Sequence, residues 1–325
     1  MINKFYESFF RHIVLTYDQI PALFFVAFVA VVYWLAARNL IVIALSRAGR
    51  AKVSSKRSAV YLRRMVFSLA LIGLLCFAYG YFVEPYWPEV THVELRTPKL
   101  AGTERTVRIA HISDLHSDPR ARLEDRLPAL ISEQKPDLIL FSGDAVNSPD
   151  GIPVFRECLR QIAKIAPTYV VKGNWDLSNS SADLYGNTGV HELTGEAATV
   201  DVRGARVWVN GAGVDRVSRI PAILAEAPAD AFTIFLYHYP DEIYAAADKV
   251  DLYSAGHTHG GQVALPFWGA LVTLSRYGKR FESGLFKVGQ TYLYVNRGVG
   301  MEGDLAPRVR FWARPEITIY EIAGT

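Results

Sequence analysis

The chain has 325 residues, of which 50% are hydrophobic and 21% are charged. This composition excludes a disordered or collagen-like chain, and the length allows one to three domains with a sizeable core. The formal net charge of +3 is unevenly divided: residues 1–83 hold ten basic and two acidic side chains, and residues 84–325 hold the other 25 basic and 30 acidic ones. Because the larger part is acidic, we expect no nucleic-acid partner.

Two apolar runs lie in the N-terminal part of the chain. The first covers residues 20–45, interrupted only by Arg38 and Asn39, and the second covers residues 65–83 without a charge. A helix that crosses a bilayer needs about 20 mostly apolar residues, so both runs predict membrane-spanning helices. We therefore expect an N-terminal flank over 1–19 and a transmembrane helical hairpin over 20–83.

The segment between the two runs, residues 46–64, is a basic loop that contains no acidic residue. Short loops rich in Lys and Arg stay in the cytoplasm, so this loop predicts the orientation of the hairpin. The rest of the chain would then face the exoplasmic side, which is the periplasm if the hairpin spans a bacterial inner membrane. A catalytic part that faces the cytoplasm is the alternative. We expect a linker over 84–104 and one domain over 105–325.

From residue 105 onward, short β-rich runs alternate with helical stretches, which predicts an α/β domain. Asp114, Asp144 and Asn174 follow three predicted strands at intervals of 30 residues. This interval is about the length of one βαβ unit, and open α/β sheets bind ligands at the carboxyl ends of their strands. Two later predicted strands end at His238 and at the Gly256-His257 pair.

The polar residues at these strand ends form a candidate metal site. Alternate residues of an extended segment point the same way, so Asp114 and His116 can reach one ion, as can His257 and His259. Mixed carboxylate, imidazole and amide ligands suit Mn²⁺, Fe or Zn²⁺. The candidates exceed the need of one ion, and a bridging carboxylate would let two ions use them all. They are Asp114, His116, Asp144, Asn174, His238, His257 and His259.

Roughly residues 105–322 resemble the calcineurin-like metallophosphoesterases. The motifs that carry the resemblance are Asp114-x-His116, Gly143-Asp144, Gly173-Asn174, His238 and Gly256-His257-Thr258-His259. The resemblance implies a four-layer αββα sandwich with two divalent metal ions, Mn²⁺ first and Fe or Zn²⁺ as alternatives. It assigns Asp114, His116 and His259 to one ion, Asn174, His238 and His257 to the other, and Asp144 to both.

Longer motifs look like the membrane-associated branch of the family, which includes the chlamydial-type UDP-2,3-diacylglucosamine pyrophosphatase of lipid A biosynthesis. They are Gly256-His257-Thr258-His259-Gly260-Gly261-Gln262, Tyr294-Val295-Asn296-Arg297-Gly298 and Arg314-Pro315-Glu316-Ile317. The branch implies hydrolysis of a lipid-linked pyrophosphate or phosphodiester, UDP-2,3-diacylglucosamine first, by a hydroxide that bridges the metals. The expected partners are this substrate and membrane lipid, and no protein partner is evident. The alternatives are an exoplasmic phosphodiesterase or phosphatase for another lipid phosphate, and an inactive, membrane-tethered binding module.

The run Gly173-Asn174-Trp175-Asp176 departs from the family pattern. Many members carry a His at the position of Trp175, and that His is thought to protonate the leaving group. An indole N–H does not titrate, so either activity is lost or the leaving group needs no proton, as in a pyrophosphate. The complete ligand set favours the second interpretation. The expected catalytic residues are Asp144, Asn174 and Asp176, and the expected substrate-binding residues are Asn147 and Arg297.

An apolar run over 266–272 follows the metal motif closely. It fits a buried segment of the core. Exposed aromatic residues near a membrane would instead suit a groove for lipid tails, so both interpretations stay open.

Overall fold

The structure is a computed structural model that describes residues 20–101, 106–178, 183–202, 204–303 and 308–325. The expected flank over 1–19 and the expected domain boundary at residue 105 lie outside the described residues. The chain divides into two compact units, Met1–Val83 and Glu84–Thr325.

The described part of the first unit contains two long apolar helices, α1 (Ile20–Arg47) and α2 (Arg57–Phe82). Both are long and apolar enough to cross a membrane. Most of their large apolar side chains are exposed, which is the reverse of a helix in a soluble core. The Tyr33 hydroxyl donates a hydrogen bond to the Ala70 carbonyl at 3.1 Å, so the two helices contact each other as a hairpin.

The described part of the second unit contains fourteen strands in three sheets. The strands are β1 (Glu89–Thr97), β2 (Val107–Ile112), β3 (Leu138–Phe141), β4 (Thr168–Val170), β5 (His191–Glu192), β6 (Ala198–Val202), β7 (Ala205–Gly211), β8 (Phe232–Leu236), β9 (Leu252–Ala255), β10 (Ala264–Leu265), β11 (Gly269–Ala270), β12 (Gly284–Val288), β13 (Thr291–Val295) and β14 (Glu316–Gly324). One six-stranded sheet has the order β1-β14-β2-β3-β4-β5, the other has the order β12-β13-β9-β8-β7-β6, and β10 and β11 form a hairpin.

Short helices connect these strands. The α-helices are α3 (Leu127–Glu133), α4 (Ile152–Ile162), α5 (Asn174–Ser178), α6 (Ile220–Ala225) and α7 (Ile243–Ala246). Turns of 3₁₀-helix occur at Glu84–Tyr86, Pro98–Leu100, Pro149–Gly151, Val214–Arg219, Pro240–Glu242, His259–Gly261 and Gly278–Phe281. Pro128 stands in the first turn of helix α3, where its missing N–H costs nothing.

The two large sheets pack face to face, and helices cover their outer faces. Successive side chains of a strand point to opposite faces, so Ile109 of β2 joins the core between the sheets while Ala110 joins the core beneath α3 and α4. A third core lies between the second sheet and helices α6 and α7. Three cores between four layers confirm the expected αββα sandwich.

The described residues of the expected linker, 84–101, are not a linker, contrary to the expectation from the sequence. Strand β1 pairs in parallel with β14 along its whole length, from Glu89 opposite Glu316 to Thr97 opposite Gly324. Its Val93 and Leu95 are buried in the core between the sheets. This segment is therefore an integral edge strand of the second unit.

Candidate metal centre

All seven predicted ligands lie near the carboxyl ends of strands. Strands β2, β3 and β4 run parallel, as do β8 and β9, so their carboxyl ends meet at common sheet edges. The described residues contain two groups whose ligand atoms all lie within 4.8 Å of one another. Asn174 joins the second group, because its Oδ1 lies 3.0 Å from His238 Nε2. The groups are Asp114, His116 and His259, and Asp144, His238 and His257.

Asp144 lies between the two groups. Its Oδ2 is 3.2 Å from His238 Nε2 in its own group and 3.6 Å from His116 Nε2 in the other. Asp114 Oδ1 faces His259 Nε2 of its own group at 3.4 Å, and its carboxylate reaches the second group only through the backbone N–H of His257, which it accepts at 3.1–3.2 Å, among the interactions of the described residues. Asp144 thus occupies the position that the family resemblance assigns to a bridging carboxylate.

The imidazole nitrogens have the arrangement of metal ligands. His116 Nδ1 lies 3.0 Å from the Asn147 side-chain oxygen and His238 Nδ1 lies 2.9 Å from the Ser142 carbonyl, so each Nδ1 donates, and Nε2 is the nitrogen that a metal ion would bind. His116 Nε2 is buried and has no hydrogen-bond partner among the described residues. A buried nitrogen without a partner is costly unless a further group binds it. The nitrogen and oxygen donors therefore fit two divalent metal ions.

The backbone is strained at this site. Five of the candidate ligands have positive φ angles between 42° and 73°: Asp114, His116, Asp144, His257 and His259. Each such residue costs about 1–3 kcal/mol, and strain of this kind clusters at functional sites. Glycine is required beside them, since a Cβ on Gly173 would lie 2.1 Å from Asp144 Oδ1. The loops thus give up stability to bring the ligands together.

Burial and charge set the protonation of the ligands. Burial lowers the pKa of His116 to about 4 and that of His257 to about 3, so both imidazoles are neutral near pH 7. Burial also lowers the pKa of His238, but the Asp144 charge outweighs it and raises the pKa to about 9. Burial raises the pKa of Asp144, but the charge of His238 reverses the shift and holds it at about 2. Asp144 is therefore an ionised carboxylate.

Asp176 is a positioning residue and not the catalytic residue that the sequence predicts. Its buried carboxylate accepts the backbone N–H groups of Asp144, Ala145 and Gly173 at 2.8–2.9 Å. These three bonds tie the loop after β3 to the loop after β4. Asp176 therefore fixes the two loops that carry Asp144 and Asn174.

The two residues predicted to contact substrate have partners within the protein. Asn147 faces His116: besides the bond to its ring, the amide donates to the His116 carbonyl at 2.9 Å. Arg297 turns toward the carboxylates of Glu89 at 2.8 Å and Glu316 at 3.1 Å. Asn147 orients a ligand, and Arg297 ties β1 to β14; contact of either side chain with substrate stays a prediction.

The Asn147→Ala substitution tests the orienting role. Removal of a side chain that orients a metal-binding His typically lowers metal affinity about 10–100-fold, so we expect a loss of this size. Titration of the metal-free protein with Mn²⁺ measures it, and Gln161→Ala, at an exposed helical position, is the matched control. An unchanged Mn²⁺ affinity would show that Asn147 does not orient His116.

Three neighbours of the site have no metal-ligand motif in the sequence. The buried Arg310 lies with Nη2 3.4 Å from His259 Nδ1. The Tyr239 ring packs edge-on against His257, with 4.4 Å between ring centroids. The Trp175 indole donates to Glu302 Oε1 at 3.3 Å. Two of them could have been found from the sequence because each is next to a predicted ligand: Tyr239 follows His238, and Trp175 follows Asn174. Arg310 has no such neighbour in the sequence.

Comparison with known proteins decides the family. Residues 107–261 match the calcineurin-like phosphoesterase family. The chain is 30% identical over 289 residues to the uncharacterized metallophosphoesterase YkuE of Bacillus subtilis (strain 168), covering 82% of this chain and 97% of that protein. This chain belongs to the calcineurin-like phosphoesterase family. With two ligand groups in place, it is a metal-dependent phosphoester hydrolase, as predicted.

Two further relatives bear on activity and location. Phosphodiesterase YaeI of Escherichia coli (strain K12) is 31% identical over 261 residues, covering 76% of this chain and 92% of that protein. A transmembrane protein with metallophosphoesterase domain from Danio rerio is 27% identical over 283 residues, covering 79% of this chain and 62% of that protein. Together with the two apolar helices, the transmembrane relative indicates that this family member is a membrane protein.

Proposed function

We propose that the chain is a membrane-anchored phosphodiesterase that hydrolyses a lipid-linked pyrophosphate or phosphodiester. The observation that carries the proposal is the position of Asp144, whose Oδ2 faces imidazoles of both ligand groups at 3.2 and 3.6 Å. The apolar helices support a lipid-linked substrate, because an anchor holds the site near the bilayer and raises the local encounter rate. The phosphodiesterase relative in Escherichia coli supports the reaction class.

The chain's own residues prepare the site for this reaction. Two divalent ions, when bound, polarise phosphoryl oxygens and lower the pKa of water so that a nucleophile forms near neutral pH. One ion would be held by Asp114, His116 and His259, and the other ion by Asn174, His238 and His257. Asp144 would bind both ions. Asp176 and Asn147 keep these ligands in place through the hydrogen bonds described above. The buried site excludes water from the ligand side, which strengthens its electrostatic interactions.

UDP-2,3-diacylglucosamine is the first substrate candidate, and Trp175 supports it. The indole is held between Glu302 and the His116 ring, with 5.3 Å between the ring centroids of Trp175 and His116. A residue that cannot donate a proton at this position suits a leaving phosphate, which is already a stable anion near neutral pH. Esters with poor leaving groups would need the proton that Trp175 cannot give.

The Trp175→His substitution tests this match between site and leaving group. General acid catalysis contributes about 10²–10⁴-fold, so we expect hydrolysis of an alkyl phosphodiester to rise at least about tenfold. Hydrolysis of bis(p-nitrophenyl) phosphate, whose leaving group needs no proton, should change little. Trp175→Phe is the control, since it removes the Glu302 bond without adding a titrating group. Equal changes on both substrates in the His variant would contradict the assignment.

A second substrate class follows from the charge of the loop between the helices. Residues 46–64 are basic, and the positive-inside rule would orient the catalytic unit to the exoplasmic side, whereas UDP-2,3-diacylglucosamine is cytoplasmic. A reporter fused to the C-terminus distinguishes the two: exoplasmic readout favours another lipid phosphodiester or pyrophosphate. Cytoplasmic readout would contradict the predicted topology and favour the nucleotide substrate.

A substrate panel tests the proposed function itself. The purified full-length protein is assayed with Mn²⁺ on UDP-2,3-diacylglucosamine, undecaprenyl pyrophosphate and simple phosphodiesters. We expect hydrolysis of at least one lipid-linked substrate at higher kcat/KM than that of the simple diesters. Higher kcat/KM on water-soluble diesters than on every lipid-linked substrate would contradict the proposal.

A further inference from the structure

An outward-facing apolar strip extends from the β10–β11 hairpin toward the metal centre. It consists of Phe267, Trp268, Val272 and Leu274, and it is called the aromatic strip below. Phe267, at the hairpin tip, is fully exposed, and the other three side chains are 42–49% exposed. The apolar run that follows the metal motif is therefore not core at its tip.

The exposure of the strip results from a regular backbone pattern. Along 271–276 the residues alternate between buried and exposed, and the buried ones are Leu271, Thr273 and Ser275. Side chains of an extended segment alternate between its two faces, so Val272 and Leu274 point outward together. Apolar residues on the outward face of such a segment are unusual unless another apolar medium covers them.

The strip is fixed to the ligand loop. The imidazole of His257, one of the candidate ligands, hydrogen-bonds to the backbone of Leu274. Gly261, two residues after His259, packs directly against the hairpin: a Cβ there would lie 2.4 Å from the Ala270 Cβ. The position of the hairpin and the position of the metal centre are therefore coupled.

Basic side chains border the strip. The Lys279 ammonium lies 5.2 Å from the centre of the Trp268 ring and donates to the carbonyls of Trp268 and Ala270 at 2.6 and 2.9 Å. Arg276 and Arg280 are exposed nearby in the chain; Arg276 lies 4.0 Å from Glu242, and Lys279 also pairs with Glu282 at 3.3 Å. Aromatic side chains beside Lys and Arg are the composition of surfaces that bind the headgroup region of a membrane.

We propose that the aromatic strip docks the catalytic unit onto the surface of an anionic lipid bilayer, with Phe267 and Trp268 at the level of the headgroups. A bilayer is the occupant always within reach, because Glu84, the first residue of this unit, directly follows the unit that holds the two apolar helices. The bordering positive charges complement anionic lipid. The inference does not depend on which phosphoester is cleaved.

A depth measurement on the full-length protein tests the docking. In a background with Cys76→Ala and Cys158→Ala, the fluorophore NBD is attached to Phe267→Cys, or to Val217→Cys as a control at an exposed apolar position away from the strip in sequence. Both proteins are reconstituted into vesicles of phosphatidylethanolamine and phosphatidylglycerol. We expect the emission of the probe at 267 to shift to the blue and to be quenched by lipids with a nitroxide on the acyl chain. The probe at 217 should respond only to aqueous iodide.

The outcomes separate the possible occupants. A probe at 267 that stays as accessible to iodide as the control would overturn the proposal. A blue shift that depends on protein density and is not quenched by nitroxide lipids would assign the strip to a second copy or a protein partner, and would also overturn it. Replacement of phosphatidylglycerol by phosphatidylcholine should weaken the quenching, because it removes the attraction to Lys279 and the two arginines.

An activity comparison tests the consequence of docking. The double variant Phe267→Ser, Trp268→Ser is expected to lose about tenfold or more of its hydrolysis of a membrane-embedded substrate, since docking raises the effective concentration. Its hydrolysis of bis(p-nitrophenyl) phosphate should stay at the parent level, which also shows that the variant is folded. The fluorescence readout needs no activity, so a failure of the proposed function and a failure of docking remain distinguishable.

Discussion

The Asp144→Ala substitution is expected to lower hydrolysis of bis(p-nitrophenyl) phosphate by more than about a thousandfold. Removal of one stabilising donor from an active site typically costs about 10²–10³-fold, and this carboxylate faces both ligand groups. We also expect metal content per chain to fall, because the bridging ligand is lost. Steady-state kinetics with Mn²⁺ and elemental analysis of the purified variant measure the two effects.

The loss must come from the site and not from unfolding. Asp230→Ala is the matched control, since the Asp230 carboxylate is exposed and pairs with Arg206 at the surface. Both variants should retain a cooperative thermal transition. Activity of Asp144→Ala within tenfold of the parent would mean that Asp144 is not the bridging ligand.

The Arg310→Met substitution is expected to lower the free energy of unfolding by about 3–5 kcal/mol. The side chain is fully buried, and its guanidinium donates to the carbonyls of Gly298, Gly300 and Ala313 at 2.5–3.1 Å. Burial lowers the pKa of Arg310 to about 9, so it is still protonated near neutral pH. Met fills a similar volume but leaves these buried carbonyls without a donor, which costs about 1–3 kcal/mol for each unsatisfied group.

Urea unfolding of the detergent-solubilised protein, followed by far-UV circular dichroism, measures this change. Arg206→Met is the control, because Arg206 makes a single exposed ion pair, and such pairs contribute about 0–1 kcal/mol. A loss below about 1 kcal/mol in Arg310→Met would show that water or backbone movement satisfies the carbonyls. The inference that Arg310 stabilises the fold through these carbonyls would then be wrong.

The ligands could be predicted from the sequence because each follows a strand at a regular interval. Asp114, Asp144 and Asn174 stand at the ends of β2, β3 and β4, and parallel pairing of these strands brings their ends together without further information. His257 and His259, which follow β9, line the other side of the site. Local patterns were sufficient to identify the ligands, since each lies close after a strand in the chain.

The roles of Asn147 and Arg297 could not be predicted in this way. A turn residue can point toward the substrate or behind a ligand, and the direction of Asn147 depends on its fit against His116, 31 positions earlier in the chain. Arg297 is neutralised by Glu89, which is 208 positions away. Side chains whose partners are that distant have no local signal in the sequence.

The edge strand β1 was missed for a related reason. Its partner β14 lies at the opposite end of the second unit in the sequence. Only the later half of β1 shows the alternation of buried and exposed residues that marks a strand. The first half is partly exposed, so its residues resemble those of a linker. Long-range pairing, and not local preference, makes this segment a strand.

Metal titration of the full-length protein tests the dinuclear site most directly. The protein is freed of metal with a chelator, Mn²⁺ is added stepwise, and bound metal and hydrolysis of bis(p-nitrophenyl) phosphate are measured at each step. Two Mn²⁺ per chain, with activity that returns as the second ion binds, is the predicted result. Full activity in the chelated protein, or with a single ion per chain, would contradict it.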